Sequence, residues 1–159
     1  MKNLLKLLSC ILFSVTLSGS TFAQEPASKQ QQIVEKQVDD EFQKMVKAAE
    51  QLNYDLLTQG VDDRHHAGFI TNSTYFEQFD TLIKAFKDRA QGVVSQKISF
   101  ENKKITVLSD RIVLLTANGK SVATVNNGNT FTGDFFWTFV YEKIDGQWKV
   151  IQSHQSTGK

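Results

Sequence analysis

Apolar residues recur at spacings of three and four over 33–52, where Val34, Val38, Phe42, Met45, Ala49 and Leu52 form one stripe. That period predicts an amphipathic helix laid over an apolar surface. Lys36, Asp40, Lys47 and Glu50 fall off the stripe. The same spacing returns over 72–92 as Tyr75, Phe79, Leu82, Ile83, Phe86 and Ala90. Here Thr74-Tyr75-Phe76-Glu77 has the Thr-x-x-Glu form of a capping box. Lys87 and Arg89 stand near the end, where the helix dipole favours cations, and Gly92 suits the residue just past it. Between the two, Asn53 predicts a cap for a short helix over 54–59 that Gly60 ends. Phe69 and Ile70 read as a short buried segment.

From Val93 the period changes to two, the repeat of a strand with one buried face. Ile98 and Phe100 alternate, as do Ile105 and Val107, but the parity slips across 101–104 and predicts a bulge. Ser109-Asp110 makes a turn, a strand over 111–125 carries Gly119 as a second bulge candidate, and Asn126-Asn127-Gly128-Asn129 turns again. The stretch 131–156 then predicts a hairpin about Asp145-Gly146, because a type I′ turn needs positive φ at both central residues. Unbroken pairing from that turn sets Trp148 opposite Lys143, Val150 opposite Tyr141, Gln152 opposite Phe139 and His154 opposite Trp137. Phe135, Trp137, Phe139, Tyr141, Trp148, Val150, Gln152 and His154 would then share one face. Glu142, Lys149, Val140, Ile151, Thr138 and Ser153 would share the other.

Three helices followed by a meander of strands specify an α+β domain, with N-terminal helices packed on one face of a curved antiparallel sheet. The start of the chain is read differently. Lys2 and Lys6, an apolar run to Leu17 and the small-residue site Thr21-Phe22-Ala23 predict a secretory signal over 1–23 and an exported, periplasmic or secreted protein. Most of the apolar run follows Cys10, which argues against lipidation there. Residues 24–32 read as a polar, flexible leader, and the domain as 33–157. Taking Lys2 and Lys6 from the 18 basic residues leaves 16 against 17 acids, so the mature chain carries a net charge of −1. No basic stripe marks a nucleic-acid partner. No membrane association is expected after cleavage. The mature chain has no cysteine, so its core alone must hold it together.

The candidate chemistry is sparse. His154 is the sharpest candidate on the aromatic face, since an imidazole moves protons near neutral pH when a partner orients it. Tyr54, Asp55 and Asp63 are candidates for that partner. A core histidine bonded to a helix, a ligand contact and a catalytic group all stay open. Phe135, Trp137, Phe139, Tyr141, Trp148 and Gln152 would supply an apolar wall with a polar fixture, closed by Tyr75 and Phe79 from the third helix. Asp62-Asp63 and His65-His66 are adjacent pairs, a spacing that seldom aims side chains at one ion, so no metal is expected. No Gly-x-Ser-x-Gly elbow and no glycine-rich phosphate loop occurs, and no organic cofactor is expected.

The ending Asp145, Gly146, Trp148, Val150, His154 and Ser156 resembles the close of the SnoaL-like branch of the nuclear transport factor two superfamily. The strand Arg111-Ile112-Val113-Leu114-Leu115-Thr116 after its Ser-Asp turn does so too, and the resemblance spans 34–156. It implies a cone-shaped α+β domain with a central pocket between helices and concave sheet, and frequent homodimers. The superfamily includes ketosteroid isomerases, polyketide cyclases, dehydratases, a kinase association domain and exported proteins of unknown role. The aromatic side would line the pocket, and the mixed side would meet solvent or a second subunit. The isomerases' strand carboxylate is not carried over, because Asp134 has the outward parity of Thr132 and Phe136. Three functions follow as alternatives: binding of a small apolar or amphipathic molecule, cofactor-independent acid–base catalysis through His154 of the isomerase, cyclase or dehydratase type, and a homodimerisation module without a ligand.

Overall fold

In the computed structural model, which describes residues 28–158, the first helix α1 runs over Lys29–Glu50. The signal over 1–23, with Cys10, lies outside the described residues, as does the first part of the leader. Helix α1 begins earlier than its apolar stripe, so 29–32 belong to it and not to the leader. The reason is local: Ser28 Oγ accepts from the Gln31 amide at 3.2 Å while Gln31 Oε1 accepts from the Ser28 amide at 2.7 Å. Each side chain thereby satisfies a backbone donor that the first turn leaves unpaired. Helix α2 occupies Tyr54–Gln59, with Asn53 Oδ1 capping the Leu56 amide at 3.1 Å.

Strands β1 (Phe69–Thr71) and β2 (Thr74–Phe76) form a small hairpin before helix α3, Phe79–Arg89. This corrects the capping box expected at Thr74, which sits inside β2 and pairs with Thr71. Asn72, at φ 52°, turns the chain there. Tertiary pairing overrides a four-residue helix signal because β1 is itself held in the sheet by β6. Tyr75 and Phe76 are aromatics that suit a pleated strand.

Strands β3 (Val93–Val107), β4 (Ile112–Val125), β5 (Thr130–Ile144) and β6 (Gln147–Thr157) complete one curved, unclosed sheet in the order β2-β1-β6-β5-β4-β3. It is mixed and not purely antiparallel, because β1 runs parallel to β6. The β3 bulge falls between Phe100 and Asn102, within the expected slip. Gly119 lies opposite Phe100 at that bulge, and a Cβ there would land on the Ser99 carbonyl oxygen. The Asp145-Gly146 turn has φ 50° and 80°, both in the left-handed region as the hairpin requires.

The core fills the space between α1 and the sheet. Phe42 of α1 packs on Phe100 at 5.4 Å and Phe139 at 5.7 Å between ring centroids. Three polar ties fix the angle of the helix: Lys103 with Asp39, Trp148 Nε1 donating to Gln37 Oε1 at 3.1 Å, and the Ile98 amide donating to Glu50 Oε1 at 2.8 Å. These ties hold α1 at its middle and its C-terminal end, and room remains beneath its last turns and beneath α2 and α3.

Candidate functional site

That room is a cavity of about 410 Å³. Phe135, Trp137 and Phe139 of β5 form its floor. Phe135 and Trp137 stack at 4.0 Å, and Trp137 meets Phe100 and Phe139 edge-on at 6.1 and 6.0 Å. Aromatic side chains held against one another in this way present rigid apolar walls. Met45 and Ala49 from α1, with Phe79, Ile83 and Phe86 from α3, make the roof.

The edge strand decides which polar groups reach the cavity. The hairpin register holds from Ile144↔Gln147 to Tyr141↔Val150, and then Val140 pairs with Gln152. Ile151 is therefore an extra residue on β6, and every later side chain changes face. His154 lies opposite Thr138 instead of Trp137, exposed on the outer surface beside Lys104, Asn118 and Phe136. This corrects the shared hollow expected of Trp137 and His154. Gln152 likewise faces Val140 on the outer side. In their place Ser153, 1% exposed, and Gln155 line the cavity.

The remaining candidates divide. Tyr54 lines the cavity, and burial raises the pKa of its phenol, so the hydroxyl stays a hydrogen-bond donor across physiological pH. Asp55 does not reach the cavity: its side chain is 92% exposed and 3.8 Å from Lys87. Asp63 is also elsewhere, accepting the Phe79 amide at the start of α3. Tyr141 and Trp148 share the inner face but are buried beyond the cavity, under α1. Phe79 lines the cavity, whereas Tyr75, 60% exposed on β2, covers Gly68 and does not close it. The outward parity of Asp134 agrees with its ion pair to Lys120 at 2.6 Å.

Arg89 and Gln96 are lining residues that the periodicity does not single out. Nothing in a strand or helix period marks the connection between α3 and β3 as a cavity rim. Among the described residues that line the cavity, none is Asp, Glu or His, and the titratable side chains are Tyr54 and Arg89. Among the described residues, no three metal-ligating side chains come together.

The sequence matches the family model of the SnoaL-like domain over residues 38–158. No curated protein matches it. Solved structures share the fold at low identity. An NTF2-like superfamily protein from Salmonella enterica subsp. enterica serovar Typhimurium str. LT2 is 14% identical, with a TM-score of 0.71 over 80% of this chain and 93% of its own. A proposed dehydratase of the NTF2-like family from Streptomyces avermitilis is 11% identical, with a TM-score of 0.70 over 80% and 98%. An NTF-2-like protein of unknown function from Shewanella oneidensis MR-1 is 21% identical, with a TM-score of 0.57 over 76% and 97%.

Proposed function

The chain belongs to the SnoaL-like domain family, and from that premise we propose that it binds a small apolar or amphipathic molecule in the cavity beneath α3. The observation that carries this reading is the cavity itself: about 410 Å³, floored by the Phe135–Trp137 stack and edged by a few polar groups. Small-molecule sites have this volume range and this lining of apolar walls with isolated polar fixtures. Binding is favoured over acid–base catalysis because the described lining holds no carboxylate and no imidazole, and His154 stands on the opposite face of the sheet. The signal-like start adds that the binding takes place after export, outside the cytoplasm.

The test is thermal stabilisation of the protein by a panel of lipid, steroid and polyketide-like compounds, repeated on Ala49→Trp, which fills the cavity from α1. A ligand selective for the folded state must raise Tm. Stabilisation of the wild type by a panel member, lost in Ala49→Trp, is the expected result. No shift with any compound, or an equal shift in both proteins, would sink the reading.

A homodimer is a second proposal, favoured by Phe136, 51% exposed on the outer face of β5. Light scattering of the wild type and Phe136→Glu tests it. A dimer that the charge dissociates is expected, and a monomeric wild type would refute it.

A further inference from the structure

Building on the binding role, we propose that the ligand is an amphipathic carboxylate, with its apolar body on the Phe135–Trp137 floor and its carboxylate at Arg89. The cavity is graded along the sheet. At one end it is walled by Leu57, Val61, Ile83, Phe139 and Val150, with the uncharged hydroxyl of Ser153 opposite Phe139. At the other, Gln96, Ser121, Thr157 and Arg89 line it. The strand register places these polar residues at one end of the sheet: Thr157 pairs with Phe135, Phe135 with Gly119, and Ser121, two residues further along β4, with Ile98. Gln96 lies two residues before Ile98 on β3, and Arg89 closes α3 just ahead of that strand.

Arg89 is the one charged side chain among the described lining residues. Neighbouring cations on α3 are engaged: Lys84 pairs with Asp88 at 2.9 Å, and Lys87 stands 3.8 Å from Asp55 and over the Tyr54 ring. No ion pair joins Arg89 to an acid among the described residues. A guanidinium offers a planar fork that fits a carboxylate with two parallel hydrogen bonds. A cationic ligand would meet Arg89 with no acid in the lining to offset the repulsion, and a neutral one would leave the fork to water. One cation matches a single negative charge better than the double charge of a phosphate monoester. The apolar wall sets the direction, because a buried carboxylate without a partner is costly while an alkyl or aromatic body gains from leaving water.

Calorimetric titration of the mature protein with decanoate, decanol and decyl phosphate tests this, using wild type, Arg89→Gln and Arg89→Lys. Wild type should bind decanoate about tenfold or more tighter than decanol, the return expected of a charged hydrogen-bonded pair. Arg89→Gln should bring the two affinities together by weakening decanoate alone, and Arg89→Lys should keep part of the preference. Equal binding of decanoate and decanol by the wild type overturns the carboxylate assignment and leaves the cavity reading intact. So does decyl phosphate binding well above decanoate. Loss of decanol binding or of melting temperature in Arg89→Gln would make Arg89 a structural residue and also overturns it. Binding of none of the three by the wild type, with no panel compound stabilising it, removes both readings together.

Discussion

The carboxylate of Asp63 accepts the backbone N–H of Phe79 at 3.1 Å, capping a helix from sixteen positions upstream. Helix α3 has no cap of its own, because Gln78 makes no side-chain bond to the first turn. Asp63→Ala should therefore cost about 1 kcal/mol of stability, and Asp63→Asn, which keeps an acceptor, clearly less. Denaturant midpoints of the three proteins check this. Equal midpoints would show that the cap carries no energy.

Tyr141 gives the opposite sign. Its side chain is fully buried, and its hydroxyl has no hydrogen-bond partner among the described residues. Burial pushes the phenol pKa far above its ordinary value, and the nearby Glu41 and Asp39 carboxylates push it the same way. Removing an unpaired buried hydroxyl while keeping the ring relieves a desolvation cost. Tyr141→Phe should be as stable as the wild type or about 1 kcal/mol more so. A clear loss would reveal a partner for the hydroxyl.

Gly119 is required by close approach. Its partner strand bulges between Phe100 and Asn102, and the Ser99 carbonyl occupies the place of a Cβ. That oxygen belongs to backbone and not to a flexible side chain. Gly119→Ala should cost about 2–3 kcal/mol through overpacking, read from thermal or urea unfolding. Gly128→Ala makes a useful comparison, since its Cβ would meet open space and only its φ of 85° is strained.

Acid should weaken the loop that carries Asp63. The Arg64 side chain, hydrogen-bonded to Asp62 at 2.7 to 3.0 Å, lowers the Asp62 pKa below its ordinary value. A carboxyl depressed in the folded state stabilises the fold above its unfolded pKa of about 3.9 and loses that contribution as pH falls through the lower folded value. Asp62→Asn should flatten the stability curve below about pH 4 and leave the slope between about pH 5 and 8 unchanged. Urea unfolding across that range is the measurement. An unchanged acid limb would mean the pair contributes nothing.

The bulge at Ile151 makes a prediction about function. His154→Ala should leave decanoate binding unchanged, since the ring lies on the outer face. Trp137→Ala should weaken it about tenfold by removing much of the floor. Calorimetry on both variants decides it, and the reverse ranking would contradict the observed register.

Much of this arrangement is legible from short-range pattern. The stripe Val34, Val38 and Phe42 marks α1, Asn53 and Gly60 bracket α2, and Asp145-Gly146 marks the hairpin because few residues tolerate its two positive φ angles. The parity slip after Phe100 shows where β3 bulges. The second bulge leaves a fainter trace, two successive β-branched apolar residues, Val150 and Ile151, where alternation should put a polar one. Read that way, the slip would move Ser153 and Gln155 inward and His154 outward.

Local chemistry by itself determined α1, α2, the body of α3, the long strands, the tight turn and the aromatic face of β5, because each rests on the period of neighbouring residues. Tertiary structure alone decided the β1–β2 hairpin and the meeting of Arg89 with the cavity, and it settled the face of His154. A strand exists there only because β6 offers it hydrogen bonds, a side chain changes face with one inserted residue, and a cavity is what distant elements leave unfilled. The hairpin and the cavity have no period that sequence can carry, and the change of face leaves only a break in alternation at Val150 and Ile151.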